Sequence, residues 1–281
     1  MKKVLIVGSR GMFGHVLKHM LSNHKIFRVI DISRLRDESS HTLDLFDLKK
    51  LDTILSTEAP DVVVNCAGIL NDAAESNPAT SIFINSFIPH YLAQRCKRLI
   101  HISTDCVFSG KRGSYTESDL KDGKGYYAES KSLGEVLYRP HLTIRTSIIG
   151  PELKADGKGL LHWFLKQKDT IKGYSNAFWS GVSTLQLAKA VIELMDNPEI
   201  TGLVHYTNNN KISKLNLLQL ISSVYQKDIT IIPFQEYYVD KSLVNTRTDI
   251  QLEIPEYEKM IQDLYSFMEE HKVTLYQQYY S

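Results

Sequence analysis

At 281 residues, with 43% hydrophobic and 23% charged residues, the chain has the volume for one large domain or two small ones around an ample core. A net charge of +1 supplies no electrostatic footprint for nucleic acid or for an anionic membrane, so a phosphate-bearing partner has to be held by local geometry. Cys66, Cys96 and Cys106 are odd in number and lack metal spacing, the apolar run Val4 to Val7 is too short for a signal peptide, and no stretch reaches membrane-span length. These features predict reduced thiols and a cytoplasmic protein with neither a membrane nor a nucleic-acid partner.

In chain order, "KVLIVG" (Lys3 to Gly8) reads as a buried strand and "GHVLKHML" (Gly14 to Leu21) as a helix. "RVIDIS", ending at Asp31 for the purposes of a ligand, and "PDVVVNCAG" (Pro60 to Gly68) are further strands. "SIFINSFIPHYLAQRC" has helical character, with Pro89 expected to kink or restart it. "RLIHIST" (Arg98 to Thr104) and "LTIRTSIIG" (Leu142 to Gly150) are strands, with a helix from about Tyr127 to Tyr138 between them. Continuous apolar strands separated by helices predict a doubly wound α/β fold: a parallel sheet covered on both faces, with ligands beyond the carboxyl ends of its strands.

After Gly150 the alternation loosens. "LLHWFLKQK", "STLQLAKAVIELMDN" and "SKLNLLQLISSVY" are helical, and "GLVHYTNNN" is a strand running into a polar turn. The expected division is residues 1–150 as the dinucleotide-binding domain and 151–281 as a smaller α/β substrate-binding domain, interleaved with the first.

"GSRGMFG" places Gly8, Gly11 and Gly14 directly after a strand and at the start of a helix. Glycines there let the backbone turn tightly and approach a pyrophosphate, which sits at the positive helix N-terminus. Arg10, Met12 and Phe13 belong to the same loop and are assigned with it to the cofactor. Asp31 is placed to accept hydrogen bonds from an adenosine ribose and to disfavour a 2′-phosphate. Arg10 and Arg34 argue the other way, since either could hold that phosphate. NADP(H) and NAD(H) both stay open, with Arg10 tipping the balance toward NADP(H). Asp44, in "DLFD", is positioned for the adenine amino group. Asn65, Cys66, Ala67 and Gly68 end the fourth strand with small residues that would let ribose and phosphate pass close to the backbone.

The fifth strand ends in "HISTDCVFSG", and Tyr127-Ala-Glu-Ser-Lys131 follows. On a helix, Tyr127 and Lys131 lie one turn apart on one face. An ammonium beside a phenol favours the phenolate and is expected to lower its pKa. Thr104 could then hydrogen-bond a substrate oxygen while Tyr127 protonates it, which is carbonyl reduction with general acid catalysis.

"GSRGMFG", "NCAG", "STDCVFSG" and "YAESK" together resemble the extended short-chain dehydrogenase/reductases, in particular their dTDP-4-dehydrorhamnose reductase branch. The resemblance continues through Asn85, "RTSIIG", "STLQLA" and "DKSLVNTR". It implies a Rossmann-like fold, with Thr104, Tyr127 and Lys131 as catalytic triad. The cofactor would lie along Gly8, Gly11, Gly14, Asn65, Ala67 and Gly68, with Tyr127 and Lys131 also touching it. Asp105, Val107 and Phe108 would border the nicotinamide and the sugar, and Arg247 could take the substrate's diphosphate. The implied reaction is NAD(P)H-dependent reduction of the 4-keto group of a nucleotide-linked 4-keto-6-deoxy sugar, in deoxysugar synthesis for surface polysaccharide.

Two departures stand out. "SNAFWSGVST" has Ser183 where the rhamnose branch commonly has proline, which leaves a UDP-linked acetamido sugar as a rival substrate. Val16 occupies the place of a metal-ligating glutamate found in some relatives, so no metal is expected. His101 and Cys106 read as structural, Trp163 and Trp179 as base-stacking or core residues, and the tail "LYQQYYS" as a packing or oligomer contact. A homodimer, a non-catalytic NADP-binding regulatory subunit and a nucleotide-sugar epimerase on the same fold remain open alternatives.

Overall fold

The protein is described from a computed structural model that covers residues 1–35 and 39–280. Strand β1 (Lys2–Val7) carries Val4, Leu5, Ile6 and Val7, all fully buried, because the sheet is covered on both faces and no side of the strand meets water. Strands β2 (Phe27–Ser33), β3 (His41–Thr42), β4 (Val62–Asn65), β5 (Leu99–Thr104) and β6 (Leu142–Thr146) follow. With the Gly202–His205 strand they form one seven-stranded sheet, in the order Gly202–His205, β6, β5, β4, β1, β2, β3. β1 pairs in parallel with both β2 and β4, β2 with β3, and β4 with β5. This is the doubly wound, Rossmann-like α/β arrangement. Strand order reverses between β1 and β4, so the crevice for a ligand opens where the loops after those two strands meet.

Local structure departs from the sequence expectation in three places. β2 runs on to Ser33, which puts Asp31 inside the strand rather than at its end. The expected kink at Pro89 is absorbed by a π-helical stretch (Ile82–Phe87) between the α-helical segments Pro78–Ser81 and Ile88–Ala93. Its wider turn precedes the residue that cannot donate a backbone hydrogen bond. The catalytic-segment helix spans Tyr126–Leu133 and stops five residues short of Tyr138. Gly134 ends it, and a Cβ there would lie 1.8 Å from the Asn85 carbonyl oxygen, so that side of the turn is closed by backbone.

The chain separates into two compact units, each discontinuous in sequence. The first comprises Met1–Phe108, Leu120–Arg145 and Ala188–Val204; the second comprises Ser109–Asp119, Thr146–Leu187 and His205–Ser281. The first holds the core between the sheet and its helices, built on residues such as Leu5, Ile30, Leu51, Val63 and Leu92. The second is a smaller α/β assembly. Its parallel pair Thr170–Tyr174 with Thr230–Phe234 and its helices Lys214–Val224 and Tyr257–Glu270 contain the second half's core. In it Trp179 is buried, donates its indole N–H to Ser147 Oγ at 2.9 Å and leans on Tyr257; Trp163 is exposed. The tail packs within the same unit, where the Tyr279 hydroxyl meets the Glu152 N–H at 2.8 Å and His162 Nδ1 at 2.7 Å.

Candidate active site

The glycine loop is shaped by close backbone approach. Gly8 has φ +87°, and a Cβ on it would meet the Ala67 nitrogen at 2.8 Å, so the loops after β1 and β4 touch through backbone alone. A Cβ on Gly14 would meet the Gly8 oxygen at 2.2 Å, which lets helix α1 (Gly14–Ser22) start directly against the loop. No side chain caps the start of α1, and its positive dipole end lies directly at the glycine loop. Phe13 is buried and contributes backbone only, whereas Arg10 is exposed at the loop's crest. His15, buried one residue into α1, pairs its Nδ1 with the Gly11 carbonyl at 2.9 Å. Burial, with smaller effects from Arg10 and His19, pulls its pKa down to about 4 despite that hydrogen bond. A backbone-lined cradle beneath an uncapped helix start fits a dinucleotide pyrophosphate.

Asp31 is placed differently from the expectation. Its carboxylate is buried and is filled from within the protein. Oδ2 accepts from Ser9 Oγ (2.6 Å) and Lys18 Nζ (3.0 Å), while Oδ1 accepts from the Ser40 N–H (3.0 Å) and Ser40 Oγ (2.9 Å). Four donors match a carboxylate's acceptor capacity. Burial opposes ionisation here, yet the bonds from Ser9, Ser40 and Lys18 outweigh it and hold the carboxyl below its ordinary pKa. Asp44 is exposed after β3 and accepts from the Phe46 N–H at 3.1 Å.

At the end of β4, Asn65 is fully buried. Its Oδ1 accepts from the Ala67 N–H at 3.1 Å, and its Nδ2 faces His101 Nδ1 at 3.2 Å. Asn65 thus shapes the turn over which Cys66, Ala67 and Gly68 pass. Burial raises the Cys66 thiol, with the Lys131 charge opposing, and all three cysteines are free.

Thr104, Tyr127 and Lys131 come together. Thr104 Oγ1 donates to Asp105 Oδ1 at 3.2 Å and accepts from the Cys106 N–H at 3.1 Å, and Thr104 lies close enough to the Tyr127 phenol to bear on its ionisation. One turn along the helix, the buried Lys131 donates from Nζ to the Ile102 carbonyl at 2.7 Å. The expected lowering of the tyrosine pKa is not found. Burial, followed by Cys106, pushes the phenol upward; Thr104 opposes this and Asp105 adds to it. Instead Lys131 moves: burial lowers it to about 8, with the charges of Glu135 and Cys66 opposing. Burial is the first cause of both shifts, and the Lys131 ammonium donates to a backbone carbonyl rather than to the phenol. Burial thus keeps the Tyr127 phenol in its protonated form.

Val107 and Phe108 are 1% and 0% exposed, so their side chains belong to the core and any ligand contact falls to the backbone around them. Arg247 lies in the second unit, its guanidinium bidentate to Asp249 with Nε–Oδ1 at 2.9 Å. Glu75 carried no signal in the sequence pattern, and Asn85 entered only through the family resemblance. Glu75, from the Asn71–Ser76 helix, accepts from the Tyr127 N–H at 3.1 Å and so caps the Tyr126–Leu133 helix. Asn85 bonds both backbone groups of Ile69 (2.8 and 2.9 Å) and Ser130 Oγ (3.0 Å), tying the loop after β4 to that same helix. Among the described residues no group of three His, Cys, Asp or Glu gathers as a metal site, and no helix is long and apolar enough to cross a membrane.

Residues 1–242 match the family described as RmlD substrate binding domain. The chain belongs to the RmlD substrate binding domain family. The resemblance carried by "GSRGMFG", "STDCVFSG" and "YAESK" is thereby borne out. The spore coat polysaccharide biosynthesis protein SpsK of Bacillus subtilis is 31% identical over 221 residues, 74% of each chain. A dTDP-4-dehydrorhamnose reductase of Mycobacterium tuberculosis is 44% identical over 85 residues, which span 27% of this chain and 28% of that protein. The fold is also that of a dTDP-4-dehydrorhamnose reductase of Bacillus anthracis solved in complex with NADP, at a TM-score of 0.83 and 20% identity, covering 95% of this chain and 99% of that one. Within this RmlD family member, Ser183 has its own local task. Its Oγ accepts from the Gln186 N–H at 3.1 Å, the geometry of an N-cap for the Thr184–Asp196 helix.

Proposed function

We propose that the protein is an NAD(P)H-dependent oxidoreductase that reduces the 4-keto group of a nucleotide-linked 4-keto-6-deoxy sugar, the dTDP-4-dehydrorhamnose type of reaction. The observation that carries this reading is the Tyr127 phenol set beside Thr104 at the end of β5, with the buried Lys131 one helical turn along from Tyr127. The nicotinamide supplies the hydride when bound. Thr104 orients the ketone oxygen by hydrogen bonding, and Tyr127 delivers the proton that this oxygen needs as it becomes a hydroxyl. Lys131, held by the Ile102 carbonyl, offers positive charge that stabilises the phenolate left behind. Gly8, Gly11, Gly14 and the Asn65 to Gly68 turn would hold the pyrophosphate and ribose by backbone contact.

NADP(H) is the preferred cofactor in this reading and NAD(H) an alternate. The closed Asp31 carboxylate supports the preference, because it has no acceptor left for a ribose 2′-hydroxyl and its charge is compensated by Lys18. The SpsK likeness supports a place in surface-polysaccharide synthesis, and the free cysteines suit a reducing cytoplasm.

The test mixes purified protein with NADPH or NADH and a panel of dTDP- and UDP-linked 4-keto-6-deoxy sugars, acetamido sugars included, and follows the reduced cofactor's absorbance. Stoichiometric oxidation with formation of the 4-hydroxy sugar is expected. Sugar isomerisation without net oxidation would instead make the protein an epimerase, and tight cofactor binding with no turnover a regulatory subunit.

A further inference from the structure

Behind the catalytic residues lies an ion pair that the reaction itself does not use. Glu135 and Arg145 are 5% and 1% exposed, and Arg145 is among the largest fully buried side chains of the protein. The pairing is bidentate: Arg145 Nε donates to Glu135 Oε1 at 2.8 Å and Nη2 to Oε2 at 2.7 Å. Ser103 Oγ donates to Oε1 at 2.8 Å and Lys121 Nζ to Oε2 at 3.1 Å, so all the acceptor positions of the carboxylate are used.

The donors come from the segments that carry the proposed chemistry. Ser103 is the residue before Thr104 on β5. Glu135 follows the helix of Tyr127 and Lys131 by two residues, and Lys121 also donates to the Ser132 carbonyl beside Lys131 at 2.8 Å. The Arg145 guanidinium, on β6, stacks 5.0 Å from the ring centroid of Phe108, in the stretch that follows Thr104 and Asp105. Burying two charges costs desolvation, and a well-packed apolar pair of similar volume would serve stability as well or better. The arrangement joins β5, β6 and the end of the catalytic helix at one carboxylate, and places that carboxylate's charge near the Lys131 ammonium.

We propose that Glu135 and Arg145 are positioning residues of the reductase site: their buried pair registers Thr104, through Ser103, against the Tyr127–Lys131 helix and faces Lys131 with a fixed negative charge. The inference rests on the reductase reading for its kinetic consequence but not for its electrostatic one. The groups that bear on Lys131 are Cys66 from the end of β4, His101 from β5, and Glu135. Those that bear on Glu135 are Arg145, Lys121 and Ser103. Arg145 and Lys121 between them compensate Glu135, and removal of both members of the pair removes the carboxylate whose charge acts on Lys131.

The test uses Glu135→Gln and the double variant Glu135→Gln/Arg145→Met in the full chain. The double variant avoids leaving an unpaired buried guanidinium, so it is the informative one if the single variant fails to fold. Circular dichroism and the Kd for NADPH establish folding and the cofactor site. Two readouts follow. The first is kcat and KM for the 4-keto sugar against pH. The second is the Lys131 titration by side-chain NMR in the cofactor-free protein, assigned by its loss in Lys131→Met. Expected for the double variant is a kcat lower by about tenfold or more, the scale set by small misplacements of reacting groups, with KM and Kd changed by less than about threefold. The Lys131 titration and the high-pH limb of kcat should both move to lower pH, since loss of a nearby negative charge disfavours the ammonium. A folded double variant with an unmoved Lys131 titration and wild-type kcat overturns the proposal. So does a loss of activity that merely tracks the unfolded fraction. If the wild-type protein turns over none of the sugars, the reductase reading fails by itself, and the NMR titration still decides the electrostatic role of Glu135.

Discussion

The Lys131 ammonium donates to the carbonyl of Ile102 at 2.7 Å, two residues before Thr104 on the same strand. One hydrogen bond thus ties the helix of the proposed proton donor to the strand that carries its partner. The lysine held this way is buried and titrates near 8, displaced by burial. In the free protein, kcat/KM should therefore fall as pH rises through about 8, as the ammonium loses its proton. Stability moves the other way in that range. Between about 8 and the ordinary lysine value of 10.5 the unfolded chain holds the extra proton, so this residue's contribution to stability rises with pH. A pH–rate profile and denaturation midpoints at pH 7.5 to about 10 check both signs.

Tyr127→Phe removes the proton donor and keeps the ring. Turnover should fall by about 10²- to 10⁴-fold, the usual worth of a positioned general acid, with NADPH affinity within about threefold of wild type. Loss of cofactor binding along with turnover would instead make the residue structural.

Asp31→Asn should not switch the cofactor. The carboxylate binds Ser9, Lys18 and Ser40, so the amide weakens the join between the glycine loop, α1 and the segment after β2. Affinities for NADH and NADPH should drop by similar factors, with stability lower by about 1–3 kcal/mol from the disrupted buried bonds. A selective gain for NADPH alone would return Asp31 to the ribose.

Gly8→Ala tests the crevice itself. The positive φ of +87° costs an alanine about 1–3 kcal/mol, and its methyl would press on Ala67. A lower denaturation midpoint and NADPH binding weakened by about tenfold or more are expected by calorimetry, a tenfold loss being about 1.4 kcal/mol.

His15 sets an acid limit. It stays neutral beside Gly11 with a pKa near 4, against 6.5 for an ordinary histidine. As pH falls from 6.5 toward 4 the unfolded chain takes up the proton that the folded chain refuses, and stability falls by about 3 kcal/mol overall. The pH dependence of unfolding should be shallower in His15→Gln over that window, and an identical slope would remove His15 as its source.

Much of the first unit was legible because its signals are local. An apolar run such as Val4 to Val7 is buried on both faces wherever the sheet is formed, and Gly8 and Gly14 are required by backbone geometry within a few residues of it. The Tyr127–Lys131 spacing likewise survives, since both lie on the Tyr126–Leu133 helix. What was not legible depends on partners far away in the chain. Asp31 reads as a ribose acceptor until Ser9, Lys18 and Ser40 are seen to fill it. Nothing in the residues around Glu75 marks it to meet the Tyr127 N–H, 52 positions further along the chain.

By itself the sequence determined the parallel α/β scaffold, the phosphate loop and the identities of the three residues proposed for catalysis, since periodicity and glycine placement act over short range. Only the tertiary structure decided their electrical state. Burial is a property of the packed chain, and it raised the Tyr127 phenol, lowered Lys131 and left Glu135, paired with Arg145, as the charge opposing that shift.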